Sequence, residues 1–194
     1  SAQNYPEGIA EGFAAAVTAA CDQMAERGIR PALLVVDTIF SSDGVYPDPA
    51  GFLAPAAAAI RKAGGLFLAD EVQPGFGRTG NHMWGFQRHG VTPDMVSMGK
   101  PMGNGYPLAG LVLRPEVIAE FGQKARYFNT FGGNAVAAAV GLAVLDVMRD
   151  EGLMENAASV GADFAAGLSA LATRHEALGE TRAAGLFIGQ TILT

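Results

Sequence analysis

Two residues suited to cofactor chemistry lie thirty positions apart, Asp70 in LFLADEV and Lys100 in SMGKPMGNG. Each follows a short apolar run that is typical of a buried parallel strand. Because the carboxyl ends of parallel strands meet at one edge of a sheet, we expect both side chains to reach one cleft. A lysine can hold an aldehyde as a Schiff base, and a carboxylate can keep a pyridine nitrogen protonated so that the ring accepts electrons. The pair therefore favours pyridoxal 5'-phosphate as cofactor.

A competing interpretation comes from residues 75–80, GFGRTG, which spell the G-x-G-x-x-G of a dinucleotide-binding loop. Such a loop follows its strand directly and opens a helix that faces the pyrophosphate. Here Asp70 and Glu71 stand at the lip, where two carboxylates would repel a pyrophosphate, and the next ten residues are too short and glycine-broken for that helix. We therefore disfavour a nicotinamide-binding module. We interpret 75–80, with Arg78, as a loop beside the candidate site that Glu71 braces.

The composition of the 194-residue chain limits the classes of partner that we expect for it. A net charge of −6 argues against nucleic acid or an anionic membrane as the main partner. The single cysteine, Cys21, rules out an intrachain disulfide and suits a reducing compartment, so we expect a cytoplasmic protein. The three histidines lack metal-ligand spacing, and the apolar runs are too short to cross a membrane, so we expect neither a metal site nor a membrane partner.

Helices alternate with unbroken apolar strands, which predicts an α/β fold with a largely parallel sheet. Strands are predicted near 33–39, 66–72, 94–98 and 108–113, with a last strand in GLFIGQTIL. Helices are predicted near 8–27, 52–63, 134–150 and 153–173, the third capped by Asn134. That third helix is so rich in small and apolar residues that we expect it to be buried on most sides. Since the chain starts beside a helix and stops inside a strand, we expect it to be part of a longer polypeptide.

Three motifs, in this order and spacing, resemble the class III (omega) aminotransferase family of fold type I pyridoxal phosphate enzymes: LFLADEVQPGFGRTG, PDMVSMGKPMGNGYPLAG and FNTFGGNAVAAAVGLAVLDVM. The resemblance covers about 33–194. It looks most like the branch that contains alanine–glyoxylate aminotransferase 2 and the ethanolamine-phosphate phospho-lyases. It implies that residues 1–151 are part of the large cofactor-binding domain, with helices on both faces of the sheet, and that 152–194 begin the small C-terminal domain.

The resemblance also implies roles for single residues. Lys100 matches the Schiff-base lysine, and Asp70 matches the partner of the pyridine nitrogen. Val72 matches the aliphatic residue under the ring, although core packing explains it equally well, and Gln73 matches the residue near the phenolic oxygen. Thr130 matches a threonine that reaches across a dimer interface to the cofactor phosphate of the partner subunit, which implies a homodimer.

The chain departs from the family at one position that bears on substrates. The usual Glu-Pro is replaced by Asp37-Thr38. That glutamate commonly pairs with a substrate-handling arginine, so the shorter Asp37 leaves substrate preference open. The family's phosphate cup, its ring-stacking aromatic residue and its substrate-carboxylate arginine have no counterpart in this sequence. We therefore expect the isolated chain to be inactive or nearly so.

The implied reaction is transfer of an amino group from an amine or amino acid to a 2-oxo acid, with Lys100 also moving a proton. One alternative uses the same cofactor to eliminate phosphate from a phosphorylated amino alcohol. Another alternative is a non-catalytic dimerising domain of the same fold. The presence of both Lys100 and Asp70 argues against it.

Overall fold

The computed structural model describes residues 8–193 of the chain. Its helices are α1 (Ile9–Glu26), α2 (Leu53–Lys62), α3 (Gly85–Arg88), α4 (Pro115–Lys124), α5 (Ala135–Asp150) and α6 (Leu153–Ala172). Its strands are β1 (Leu33–Asp37), β2 (Leu66–Asp70), β3 (Met95–Met98), β4 (Gly110–Leu113), β5 (Leu178–Ala184) and β6 (Phe187–Ile192). A 3-10 turn at Lys100–Gly103 follows β3.

The central sheet has the order β1–β2–β3–β4, and the first three strands run parallel while β4 returns antiparallel to β3. This arrangement confirms the predicted α/β fold with a mostly parallel sheet. The carboxyl ends of the parallel strands therefore share one edge. Asp37 ends β1, Asp70 ends β2, and Lys100 follows β3 by two residues. The strands β5 and β6 form a separate antiparallel hairpin.

The hydrophobic core lies on one face of this sheet. Strand alternation points Val36 of β1 and the paired Ala69 of β2 to the same side, together with Phe67. Helix α2 packs on both strands, and α1 packs on α2. On the opposite face, Leu33 and Val35 are exposed. The described helices thus cover β1 from one side.

Helix α5 begins as predicted but is less buried than predicted. Asn134 caps it, since its Oδ1 accepts the Ala137 N–H at 2.9 Å. The expected burial on most sides is not reached within this single chain, because Val136 is 61% exposed and Leu142 is 63% exposed. One side of α5 contacts the 100–103 turn and α6, and the other apolar side meets no partner among residues 8–193.

The second half of the chain contains two elements that were not predicted from the sequence, α4 and β5. Strand β5 reads LGETRAA, which has no apolar run, and it is held by its pairing with the apolar β6. Helix α6 matches its predicted range closely. Within the described residues, no helix combines the length and apolarity needed to cross a membrane. The proposed division into domains at residue 151 stays a prediction.

Candidate active site

The edge at the carboxyl ends of the parallel strands brings the two principal site residues into one region. Asp70 pairs in register with Ser97 of β3, and Gly99 and Lys100 continue from that strand. Lys100 has a φ of +33°, an unusual value for a residue with a side chain. Such strained backbone persists only where the surroundings enforce it, and it concentrates at functional positions. The register of β2 against β3 thus brings Asp70 and the start of the Lys100 turn to the same edge of the sheet, as expected. The action of both residues on a cofactor stays a prediction.

A cavity of about 480 Å³ surrounds Lys100. It brings together three of the residues singled out in the sequence, Lys100, Val72 and Gln73. Three further lining residues, Arg78, Asn104 and Leu186, were not assigned to the site by sequence reasoning. Leu186 lies in the β5–β6 turn, 86 positions beyond Lys100, so no local sequence signal joins the two. The full lining is Val72, Gln73, Arg78, Lys100, Pro101, Asn104, Gly105, Leu186 and Phe187.

The half-buried Asp70 carboxylate is held in a fixed orientation at the end of β2. Its Oδ1 accepts the Val72 N–H and the Ser97 hydroxyl, each at 3.1 Å. Asp70 does not itself line the cavity around Lys100. Ser97 is thus a positioning residue that sequence reasoning missed. The only signal for it is the register of β2 against β3, which places it opposite Asp70.

Glu71 braces the loop that follows β2. The side chain is fully buried, its Oε2 accepts the Gly85 N–H at 2.6 Å, and its Oε1 accepts the Phe86 N–H at 2.8 Å. The carboxyl group accepts a third hydrogen bond, which the Thr38 hydroxyl donates to Oε1 at 3.1 Å. Burial raises the pKa of Glu71 above its ordinary value, and the three donors limit that rise. These bonds confirm the bracing role expected for Glu71.

His89 extends the buried hydrogen-bond network of Glu71 and Thr38. Its Nε2–H donates to the Thr38 carbonyl at 2.9 Å, and its Nδ1 accepts the Gly51 N–H at 3.2 Å. Burial lowers the pKa of His89, because the charged imidazolium is poorly solvated there. The neutral ring with its proton on Nε2 satisfies both partners. His89 is therefore structural.

Asp37, which stands where the family usually has a glutamate, stabilises the turn that follows β1. Its Oδ1 accepts the Ile39 N–H at 3.1 Å, and its Oδ2 accepts both the Ser41 N–H at 2.9 Å and the Ser41 hydroxyl. Both oxygens are therefore occupied within five residues of chain. Asp37 fixes the end of β1, and both of its carboxylate oxygens already take part in that turn.

Helix α6 and the β5–β6 turn pack closely on the glycine loop 75–80. A Cβ at Gly185 would lie 2.6 Å from the Arg78 carbonyl oxygen, and one at Gly161 of α6 would lie 2.1 Å from the Gly185 carbonyl oxygen. The Leu186 N–H donates to the Arg78 carbonyl at 3.1 Å. The G-x-G-x-x-G spelling thus accompanies close backbone packing, and the loop also reaches the cavity through Arg78.

Thr130 lies in the exposed segment 125–134, between α4 and α5. Its neighbours Phe128 and Phe131 are 85% and 81% exposed. Thr130 does not line the cavity around Lys100 in this single chain. Its role toward a partner subunit's cofactor stays a prediction. Among residues 8–193 no group of three or more metal-ligating side chains is placed to hold a metal ion.

Comparison with known proteins gives consistent similarities. The family described as "Aminotransferase class-III" matches residues 9–193. The chain is 45% identical over 160 residues to "Alanine--glyoxylate aminotransferase 2 homolog 2, mitochondrial" of Arabidopsis thaliana, covering 82% of this chain and 33% of that protein. It is 46% identical over 147 residues to "Alanine--glyoxylate aminotransferase 2, mitochondrial" of Homo sapiens, covering 76% and 29%. The chain thus spans about a third of the length of these relatives.

Solved structures agree with these sequence matches. A phospholyase from Arthrobacter in complex with phosphoethanolamine superposes with a TM-score of 0.92 at 41% identity, covering 98% of this chain and 45% of that one. The taurine:2-oxoglutarate aminotransferase from Bifidobacterium kashiwanohense, in complex with PLP and glutamate, superposes with a TM-score of 0.84 at 27% identity, covering 98% and 44%. The two neighbours are named for different reactions, and the matched part of each has a backbone similar to that of this chain.

Proposed function

This chain belongs to the class III aminotransferase family, and from that membership we propose that it is part of a pyridoxal phosphate-dependent aminotransferase. The reaction is transfer of an amino group from an amine or amino acid to a 2-oxo acid. The observation that carries this proposal is a cavity lined by Lys100, Val72 and Gln73. The backbone of Lys100 is strained there, with a φ of +33°. The aminotransferase names of the relatives support it.

The residues at this edge fit the cofactor by their chemistry. Lys100 offers an amine that makes no hydrogen bond to any other described residue, and Asp70 offers a carboxylate whose Oδ1 is already oriented. Lys100 would hold the aldehyde carbon, Asp70 the pyridine nitrogen, Val72 one ring face and Gln73 the phenolic oxygen. When bound, the cofactor supplies an electron-accepting ring for the bond that breaks at the substrate carbon bearing the amino group.

The protein residues then have separate tasks. Nζ of Lys100 takes the proton from the substrate carbon that bears the amino group and redelivers it, so that one group serves as base and then as acid. Asp70 keeps a proton on the pyridine nitrogen. Ser97 and the Val72 N–H keep the Asp70 carboxylate from rotating away. Glu71 holds the loop that carries Gln73 and Arg78.

We propose that the active protein is a homodimer in which Thr130 contributes to the cofactor phosphate of the partner subunit. The exposed Phe128 and Phe131 and the exposed apolar side of α5 support an interface here, because large contiguous apolar surface is normally covered. We also propose a cytoplasmic location, since the lone Cys21 suits a reducing compartment. The mitochondrial names of the relatives describe those proteins, and cell fractionation tests the location of this one.

A phospho-lyase acting on a phosphorylated amino alcohol is the second candidate, favoured by the similarity to the Arthrobacter phospholyase. Product analysis of the full-length protein, supplied with pyridoxal phosphate, separates the two. Amine consumption that requires a 2-oxo acid and yields the matching amino acid supports transfer. Phosphate release from O-phosphoethanolamine without a 2-oxo acid supports elimination. If the folded, cofactor-loaded protein forms neither product from a broad panel of amines, the non-catalytic alternative replaces both.

A further inference from the structure

Strand β5 carries a largely buried arginine, Arg182, whose side chain is 13% exposed. Its guanidinium reaches the loop that follows β1. The Nε–H donates to the Val45 carbonyl at 3.0 Å, and Nη2–H donates to the Gly44 carbonyl at 2.9 Å. The guanidinium carbon lies 4.7 Å from the centre of the Tyr46 ring, within the range of a cation–π contact. Arg182 thus ties the hairpin β5–β6 to the 44–46 loop.

The 44–46 loop needs such support, because its backbone is strained. Val45 is buried and has a φ of +62°, which is a rare value for a residue branched at Cβ. Strain of this kind persists only where neighbouring groups enforce it. The Val45 N–H donates to the Phe40 carbonyl at 3.1 Å, and the Val45 carbonyl accepts from Arg182. One polar group of the strained residue is therefore held by its own loop and the other by the hairpin.

The hairpin lies against this loop in direct backbone contact. A Cβ at Gly189 of β6 would lie 2.6 Å from the Gly44 carbonyl oxygen, which leaves no room for a side chain between them. Gly189 pairs in register with Arg182, and only two pairs separate these residues from the β5–β6 turn. A shift of the two strands at Arg182 therefore shifts the turn as well.

The turn at the other end of this short ladder forms a wall of the Lys100 cavity. Leu186 and Phe187 both line that cavity, and the Leu186 N–H donates to the Arg78 carbonyl at 3.1 Å. The hairpin is thus held at two places, by Arg182 on the loop after β1 and by its turn on the loop after β2. Arg182 does not itself line the cavity, so any effect that it has on the site must pass through the hairpin.

We propose that Arg182 is a positioning residue of the Lys100 site. By tying β5 to the 44–46 loop, it keeps Leu186 and Phe187 in the cavity wall. This inference rests on the proposed function and adds to it a determinant of how large a molecule the cavity admits. The competing explanation is that Arg182 stabilises the fold and leaves the cavity unchanged. The two explanations predict different results for the size of ligand that reaches the lysine.

The test uses the full-length protein loaded with pyridoxal phosphate and two aminooxy probes, hydroxylamine and the bulkier O-benzylhydroxylamine. Either probe takes the cofactor aldehyde from the lysine as an oxime and leaves the lysine amine free, and the absorbance of the cofactor gives the rate. The ratio of the O-benzylhydroxylamine rate to the hydroxylamine rate measures the size of molecule that the cavity admits. Because both probes attack the same lysine–cofactor bond, a change in the reactivity of that bond affects both rates.

The variants are Arg182→Met, Leu186→Ala and the double variant, with Arg174→Met as the matched control. Arg174 is exposed just before β5 and bonds at 3.4 Å to the carbonyl of Ala170, within its own segment of chain. Tyr46→Leu is a milder variant that removes the ring beside the guanidinium and keeps the Arg182 hydrogen bonds to the loop, and it replaces Arg182→Met if that protein does not fold. Urea midpoints and hydrogen exchange are measured for every protein.

Arg182→Met is expected to raise the rate ratio roughly 3- to 10-fold, because a wall that is no longer tied to the loop yields to the larger probe. Leu186→Ala should raise the ratio as well. The double variant should fall well short of the product of the two single effects, because both changes act on the same wall. Exchange at the β5–β6 turn should accelerate in Arg182→Met. Tyr46→Leu should show a smaller rise in the ratio, and Arg174→Met should match the wild type.

Three outcomes overturn the inference. A lower urea midpoint of Arg182→Met with an unchanged rate ratio and unchanged exchange at the turn limits Arg182 to the stability of the fold, while the proposed function stands. Single effects that multiply fully in the double variant show that Arg182 acts on the site by a route that does not include Leu186. Absence of bound cofactor in the wild-type protein overturns the proposed function itself, and the inference with it.

Discussion

Helix α6 offers a direct test of how the C-terminal hairpin is held against the site, because it contains two glycines in contrasting surroundings. A Cβ at Gly161 would lie 2.1 Å from the Gly185 carbonyl oxygen, whereas ordinary contacts begin near 3.4 Å. A Cβ at Gly167 meets nothing within 4 Å. The variants Gly161→Ala and Gly167→Ala therefore make the same chemical change in the same helix, and only the first forces backbone apart.

The expected magnitude follows from two opposing effects. Alanine gains about 1 kcal/mol over glycine in a helix interior, and this gain is common to both variants. Overpacking against a rigid neighbour costs about 1–3 kcal/mol and applies to Gly161→Ala alone. The two variants should thus differ by about 1–3 kcal/mol in unfolding free energy. With the m-value of about 2 kcal/mol per molar urea of a small protein, this is a difference of roughly 0.5–1.5 M in the urea midpoint, and the larger m-value of a longer protein makes the difference smaller.

The assay is urea unfolding of both full-length variants by circular dichroism, with hydrogen exchange to locate the effect. In Gly161→Ala, peptides covering α6 and the β5–β6 turn should lose protection, and the affinity for pyridoxal phosphate should fall, because Leu186 lines the Lys100 cavity. Gly167→Ala should be as stable as the wild type or more so. Equal midpoints and equal exchange in the two variants would refute the close packing of Gly161 on Gly185.

Three further predictions concern the residues that position the site. Glu71→Ala leaves the Gly85 and Phe86 N–H groups unpaired at about 1–3 kcal/mol each, so their exchange should accelerate; unchanged protection would contradict the bracing role. Since burial lowers the pKa of His89, the protein should lose stability as the pH falls from about 6.5 through that lowered value, and urea midpoints of His89→Gln should lack this dependence. Ser97→Ala frees the Asp70 Oδ1 from one donor and should weaken pyridoxal phosphate binding several-fold with little change in the urea midpoint, whereas an unaltered cofactor Kd would remove Ser97 from the site.

The sequence was informative about elements whose own residues determine them. The apolar runs before Asp70 and Lys100 predicted β2 and β3, and Asn134 predicted the start of α5. The predicted strands over-ran at their ends because the residues there bond elsewhere. Asp37 caps a turn and Glu71 bonds to the N-terminus of α3, and an apolar pattern does not reveal either interaction.

What the sequence could not predict depends on long-range contacts. Ser97 faces Asp70 only through the register of two strands, and Leu186 reaches the cavity only through the packing of the hairpin turn on the Arg78 loop. The burial expected for α5 is not reached within this single chain for a related reason, since apolar composition shows that a helix needs a partner but not where that partner lies. The motif resemblance supplied Val72 and Gln73, which the structure places with Lys100 in one cavity.

The most direct test of the proposed function is to trap the cofactor on its lysine. The full-length protein is supplied with pyridoxal phosphate, reduced with borohydride, digested and mapped by peptide mass spectrometry, beside a Lys100→Ala variant. The expected result is a reduced pyridoxyl adduct on Lys100 in the wild-type protein, with none on Lys62 or Lys124 and none in the variant. An adduct on a different lysine, or no adduct on the folded full-length protein, would contradict the assignment of this cavity as a pyridoxal phosphate site.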